Sequence, residues 1–222
     1  MARAYSINEI LNKKYKLLDF RGAWFDAFGK PEARGVWFVY GNSSNGKGSF
    51  LYQLSMELSR NGRVAINEME EGSAKTVQDT LSRHRMEDYA GKILIIDNEP
   101  MEELAKRLRR HKSPEFIIIN SFQYTQLNYR QYIEFKEEFR SNKLIVFSSH
   151  ADGKQPAGRA AKSVMYDADM KIWVEGYRAI SKGRYIGEKG YFDVWPEKAL
   201  RYWGERVPER SEEHTSELQS LR

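Results

Sequence analysis

The chain has 222 residues, 41% hydrophobic and 30% charged, with a formal net charge of +5 and no cysteine. That suffices for one α/β domain with a sizeable core, and it excludes both a disulfide framework and a cysteine-ligated metal. No apolar run approaches the roughly 18 residues a membrane span needs, and no signal-peptide pattern opens the chain, so a cytoplasmic protein without membrane contact is expected.

In chain order, Ser6-Ile-Asn-Glu9 has capping-box spacing and predicts a short helix through about Tyr15. Trp24, Phe25 and Phe28 form an aromatic cluster ending at Gly29-Lys30-Pro31. Residues 1–34 are therefore read as an N-terminal helical and aromatic segment, either a lid packed across the sheet edge or a contact with a neighbouring subunit.

The stretch that organises the rest follows. A β-type run, Val36 to Tyr40, breaks into Gly41-Asn42-Ser43-Ser44-Asn45-Gly46-Lys47-Gly48-Ser49, and Phe50, Leu51, Leu54 and Leu58 resume at helix-face spacing. This strand–loop–helix frame is what Gly-x4-Gly-Lys requires of a phosphate-binding loop. Glycine lets successive backbone N–H groups close around the phosphates, the lysine reaches the β- and γ-phosphates, and the helix adds its positive N-terminal end. A nucleotide with Mg²⁺ is the expected ligand, and ATP is the nucleotide that the resemblance given below implies. The hydroxyl residue that should follow the lysine and bind Mg²⁺ is replaced by Gly48, and Ser49 comes one residue late.

Arg63 to Asn67 reads as a second strand running into Glu68-Met69-Glu70-Glu71. Its acids lie at a carboxyl strand end, where open α/β sheets bind ligands and where a carboxylate could polarise a water. Continued strand alternation puts Glu68 and Glu70 on one face and Glu71 on the other. Helices are predicted over Ser73 to about Arg85, Met101 to Arg110 and Tyr129 to Arg140. They lead into the apolar strands Lys92 to Asp97, Phe116 to Asn120 and Lys143 to His150, which read as parallel strands covered by helices on both faces. From Asp169 the segments Lys171 to Val174, Tyr177 to Ser181 and Tyr191 to Trp195 are separated by short turns and predict antiparallel strands extending the sheet. The tail, residues 205–222, is set aside. Its stretch 210–220 matches the conceptual translation of a common sequencing-library adapter, and the natural C-terminus is expected to lie elsewhere.

In order, these parts resemble the RecA-type ATPases, in the branch of the DnaB replicative helicases and the RadA recombination proteins. The similarity runs from about Val36 to Trp195 and adds to the loop the segments Asn67 to Gly72, Ile119-Asn120-Ser121-Phe122-Gln123, His150 to Lys154 with Ala157-Gly158, Tyr166 to Asp169, and Lys182-Gly183-Arg184-Tyr185. The resemblance implies a RecA-like three-layer α/β/α ATPase domain over residues 35–204. Glu70 becomes the water-activating base, His150 the γ-phosphate sensor, and Lys182 and Arg184 the cations that reach a neighbouring subunit's nucleotide, so a homo-oligomer is implied. It also places Asn120 where an Mg²⁺-associated aspartate belongs, with Ser49 or Asp97 as compensating ligands. Loops at Ser121 to Asn128 and Ala151 to Lys162 would face single-stranded DNA, the second offering Lys154, Arg159 and Lys162 to the phosphate backbone.

The expected function is an ATP-dependent, DNA-associated motor or recombination accessory, from a phage or mobile element. Two readings stay open beside it. One is a nucleotide-binding regulatory module with little turnover, and the other is a P-loop small-molecule kinase, which lacks an evident acceptor-binding or lid-arginine segment.

Overall fold

Strand β1 (Gly35–Gly41) is buried along its whole length. Its side chains alternate between two cores. Trp37 and Val39 pack with Phe50, Leu54 and Leu58 of α3 (Lys47–Leu58), while Val36, Phe38 and Tyr40 pack with the helices of the opposite face. A strand apolar on both sides must lie inside a helix-covered sheet, and each fully buried side chain contributes about 1.5–3 kcal/mol.

The computed structural model describes residues 3–204; the adapter-like tail lies outside the described residues. The remaining strands are β2 (Val64–Glu68), β3 (Ile93–Asp97), β4 (Phe116–Asn120), β5 (Leu144–Asp152), β6 (Gln155–Pro156), β7 (Met170–Glu175), β8 (Arg178–Gly183) and β9 (Tyr191–Asp193). Among the described residues they form one sheet in the order β3, β2, β4, β5, β1, β7, β8, β9, with β6 beside β5. From β3 to β1 every pairing is parallel, as the βα alternation requires. The second face is covered by α5 (Met101–Arg109), α6 (Tyr129–Phe139) and α7 (Arg159–Asp167). The predicted stripe Met101, Leu104, Ala105 and Leu108 is the buried side of α5.

Several expectations are corrected. Helix α1 (Ile7–Leu11) has both halves of the Ser6–Glu9 capping box but stops well before Tyr15 and buries no side chain. The predicted helix from Ser73 covers only α4 (Lys75–Arg83) before a 3₁₀ turn at Met86–Tyr89. Strand β3 is an edge strand that leaves Leu94 exposed, so it is not covered on both faces. Ala151 to Lys162 is not a loop. Strand β5 continues through Asp152, folds back as β6, and α7 begins at Arg159. Because α7 carries the chain across the sheet, β7 returns parallel to β1, and of the three segments after Asp169 only β8 and β9 extend the sheet antiparallel. A terminal helix, α8 (Pro196–Trp203), was not foreseen.

The N-terminal aromatics pack within their own chain. Helix α2 (Ala23–Phe28) buries Phe28 and stacks Trp24 on Phe192 of β9 at 4.2 Å between ring centroids, with Phe50 beside both rings. This brace reaches the first turn of α3, directly after the loop.

A Cβ added at Gly41 would run into the Val174 carbonyl oxygen of β7, whereas one added at Gly48 meets nothing within 4 Å. We therefore expect Gly41→Ala to cost about 3 kcal/mol by overpacking. Gly48→Ala should gain up to about 1 kcal/mol from lower backbone entropy in the helix. Equilibrium urea denaturation checks the pair; equal midpoints for the two variants would contradict the packing at Gly41.

Candidate functional site

At the carboxyl end of β1 the chain turns through Asn42 to Gly46 and enters α3 at Lys47. Gly46 caps the helix with φ of 95°, a conformation that favours glycine. Two side chains fasten the loop. Asn45 Oδ1 accepts from the Gly176 N–H at 2.8 Å and its carbonyl from the Tyr177 N–H at 3.0 Å, tying the loop to the β7–β8 turn. Asn42 Nδ2 donates to the Gly153 carbonyl at 3.3 Å in the β5–β6 turn. The asparagine side chains thus hold the loop's shape.

Around the loop lies a cleft of about 440 Å³, within the range of small-ligand pockets. Its floor is Asn42, Ser43, Ser44, Gly46, Lys47, Gly48 and Ser49; Gly41 and Phe50 are buried just behind. Opposite stand Glu68, Glu70, Glu71, Asn120 and His150. Burial depresses the Lys47 ammonium pKa, and the nearby Glu70 carboxylate opposes that shift. His150 pairs in register with Gly41, and its Nε2 lies 3.2 Å from Glu70 Oε2. Gln123 braces this corner: its Oε1 accepts from the His150 N–H at 3.2 Å, and its Nε2 donates to Ser149 Oγ at 2.8 Å and the Ala157 carbonyl at 3.0 Å.

Tertiary packing changed the reading of the acids. Strand β2 ends at Glu68, so alternation does not extend to Glu70 and Glu71, and all three carboxylates line the same cleft. Glu68 is 2% exposed and accepts from the Tyr52 hydroxyl at 2.7 Å and from Asn120 Nδ2 at 2.8 Å. Burial raises its pKa, against the lowering effect of those two hydrogen bonds. The Tyr52 hydroxyl is pushed upward in turn, by burial first and then by Glu68. Asn120 is committed as well, because its Oδ1 accepts the Ser148 hydroxyl at 2.6 Å. One of the two acceptor positions of its amide oxygen is thus taken by Ser148.

Other expected residues are not brought to this cleft. Asp97 lies on β3 and accepts from Ser73 at 2.8 Å. Lys182 stacks over Trp173, its pKa lowered by burial and by Lys154. Arg184 pairs with Asp169 at 2.9 Å, level with Val36 at the far end of β1 from the loop. Neither cation lines its own chain's cleft. Lys154 is in the β5–β6 turn, Arg159 and Lys162 are on the first turn of α7, and all three are exposed. The other expected DNA segment is partly structural, since Phe122 is buried in the core and Gln123 is the brace just described.

The remaining walls were not legible beforehand. Val77, Thr80 and Arg83 of α4 form one side; Tyr177, Trp195 and Lys198 form the other. Tyr177 and Trp195 pack edge to face, and the Lys198 ammonium lies 3.9 Å from the Trp195 ring centroid. A second hollow, of about 330 Å³, is lined by basic residues at the amino ends of β2 and β3, away from the loop. The donor set of the main cleft is oxygen-rich, comprising the Ser49 hydroxyl and three carboxylates. Among the described residues no group of three or more His, Cys, Asp or Glu is arranged to hold a metal ion, so Mg²⁺ here would draw its remaining oxygen ligands from the nucleotide and water.

No protein-family model and no curated protein matches the chain. Among solved structures it is similar to the flagellar accessory protein FlaH from Methanocaldococcus jannaschii. The TM-score is 0.56 and the identity 14%, covering 78% of this chain and 88% of that one. The likeness carries the fold, a RecA-like three-layer α/β/α domain whose mostly parallel sheet ends in antiparallel strands.

Asn45→Ala removes the acceptor of the Gly176 N–H. We expect a loss of about 1–3 kcal/mol, together with faster hydrogen exchange confined to residues 42–47 and 175–178. Exchange unchanged in both segments would contradict the anchoring role.

Proposed function

We propose that the chain binds ATP in the loop and acts as a RecA-like ATPase. The observation that carries this is convergence: the Gly41–Gly46 loop, Lys47 and the Glu70–His150 pair, drawn from β1, α3, the β2 end and β5, meet in one cleft. Backbone N–H groups and the helix terminus would receive the phosphates, and Lys47 would bridge the β- and γ-oxygens. Tyr177 and Trp195 offer aromatic faces for the base.

The Glu70–His150 pair supplies a trigger for turnover. A γ-phosphate beside His150 competes with Glu70 for the imidazole N–H. Drawing His150 to the phosphate frees the Glu70 carboxylate to take a proton from the attacking water. Mg²⁺, when bound with the nucleotide, neutralises charge on the β- and γ-oxygens. Ser49 would be one of its oxygen ligands. Lys182 and Arg184 fit a trans-acting role in a homo-oligomer, because neither lines the cleft of its own chain. The exposed cations Lys154, Arg159 and Lys162 would contact single-stranded DNA, giving a DNA-associated motor or accessory.

A second reading, nucleotide binding with little turnover, is favoured by one observation: neither Gly48 nor Asn120 offers the hydroxyl and carboxylate of the usual metal pair, the Asn120 oxygen being engaged by Ser148.

Binding of a fluorescent ATP analogue and phosphate release test both. Lys47→Ala should weaken binding at least about tenfold, whereas Glu70→Gln should keep binding and lose turnover by about 100-fold or more. A native chain that binds without releasing phosphate selects the second reading, and one that does not bind removes both.

For DNA, affinity should fall steeply with salt, and replacing Lys154, Arg159 and Lys162 by Ala should flatten that dependence by about three phosphate contacts. Salt-independent binding, or a triple variant with the native slope, would remove the DNA role.

A further inference from the structure

Among the described residues, no carboxylate lines the second hollow at the amino ends of β2 and β3. Arg63, Lys92, Arg107, Arg110 and Lys112 do line it, five cations that match the formal net charge of the whole chain, +5. Arg107 is held by Glu99 at 2.8 Å. Among the described residues the other four make no ion pair. Like charges gathered in one concavity repel one another, and folding by itself gives no reason to collect them there.

A helix terminus accounts for part of the cluster only. Cations stabilise the last turn of a helix, and α5 carries Lys106, Arg107 and Arg109 there. Lys106 and Arg109 are already paired, with Glu103 and Glu138. Arg63 and Lys92 belong to no helix. They precede Val64 and Ile93, which are register partners, so strand pairing sets the two cations side by side.

The turn that adds Arg110 and Lys112 is fixed by hydrogen bonds. The Ser113 N–H donates to the Arg110 carbonyl at 3.1 Å, and Ser113 Oγ donates to the Leu108 carbonyl at 2.7 Å. The Lys143 ammonium, in a residue 7% exposed, donates to Ser113 Oγ at 2.8 Å and to the Pro114 carbonyl at 2.9 Å. A buried lysine thus holds a turn of exposed cations in place. The same turn borders a further hollow of about 490 Å³, so its charges follow an open trough and do not converge on one point.

We propose that this trough binds the phosphodiester backbone of a nucleic acid, without regard to base sequence, through Arg63, Lys92, Arg110 and Lys112. A string of phosphates matches separated cations and releases counter-ions when they meet. A single phosphate would leave most of these groups unused. A membrane surface fits less well, because an interfacial site inserts an apolar face and Leu94 is the exposed large hydrophobic of this lining. The trough lies at the opposite ends of the strands from the nucleotide cleft. It shares with the DNA reading above only the class of ligand, and depends on neither ATP binding nor Lys154, Arg159 and Lys162.

The experiment follows the anisotropy of a fluorescein-labelled duplex oligonucleotide titrated with the full chain over a range of salt. Each phosphate contact contributes about 0.9 to the slope of log affinity against log salt. Arg63→Ala, Lys92→Ala, Arg110→Ala and Lys112→Asn combined should lower that slope by about three to four and weaken binding more than about tenfold at low salt. Asparagine is chosen at 112 because φ there is 60°. Arg63→Lys with Arg110→Lys keeps the charge and should keep the native slope. The triple variant at Lys154, Arg159 and Lys162 reads the other set in the same titration.

A quadruple variant with native slope and affinity would overturn the proposal, and a flattened slope in the triple variant alone would leave the other DNA reading standing without it. Displacement of the oligonucleotide by inorganic phosphate at equal phosphate concentration would assign the trough to a free anion and overturn it. So would binding to phosphatidylserine vesicles, lost in the quadruple variant, by a chain that ignores the oligonucleotide. Should the quadruple variant not fold, Arg110→Gln alone should lower the slope by about one, and an unchanged slope there overturns the proposal.

Discussion

The burial of β1 between β5 and β7 is the constraint from which the site follows. With both faces covered and both edges paired, the strand has no freedom to shift register, and Gly41 is pressed against the Val174 carbonyl where it ends. The chain must then turn sharply, and packing Phe50, Leu54 and Leu58 onto the sheet aims the start of α3 back at that turn. The consequence is a loop that runs into the positive end of α3 with Lys47 on its first turn, the arrangement on which the proposed phosphate site rests. The brace of Trp24, Phe50 and Phe192 and the two asparagine anchors hold the same corner from three directions.

Charge in the cleft is balanced locally. Glu70 has His150 within 3.2 Å and lies near Lys47, whereas Glu68 has only neutral donors. Acids two residues apart therefore sit in different surroundings, one beside an imidazole and a lysine, the other buried against a phenol and an amide.

Distance along the sheet separates Lys182 and Arg184 from the loop. Arg184 sits level with Val36, at the end of β1 away from the loop, and Lys182 is spent on Trp173. The three exposed cations lie on two differently shaped elements, a hairpin turn and the first turn of α7, where the resemblance implied a single loop.

The sequence by itself determined the loop, the parallel strands and the buried stripe of α5, because glycine and lysine spacing and apolar periodicity are local properties of the chain. The resemblance singled out Glu70 and His150 separately, and the fold brings them within 3.2 Å of each other. The sequence missed α7, because Ala157 to Lys162 reads as polar and glycine-containing until Ala161, Val164 and Met165 find a sheet to pack against. Only tertiary structure could decide that Glu68 is buried against Tyr52 and Asn120, since three residues from three elements meet there through register and helix packing. No spacing within any one segment records that meeting.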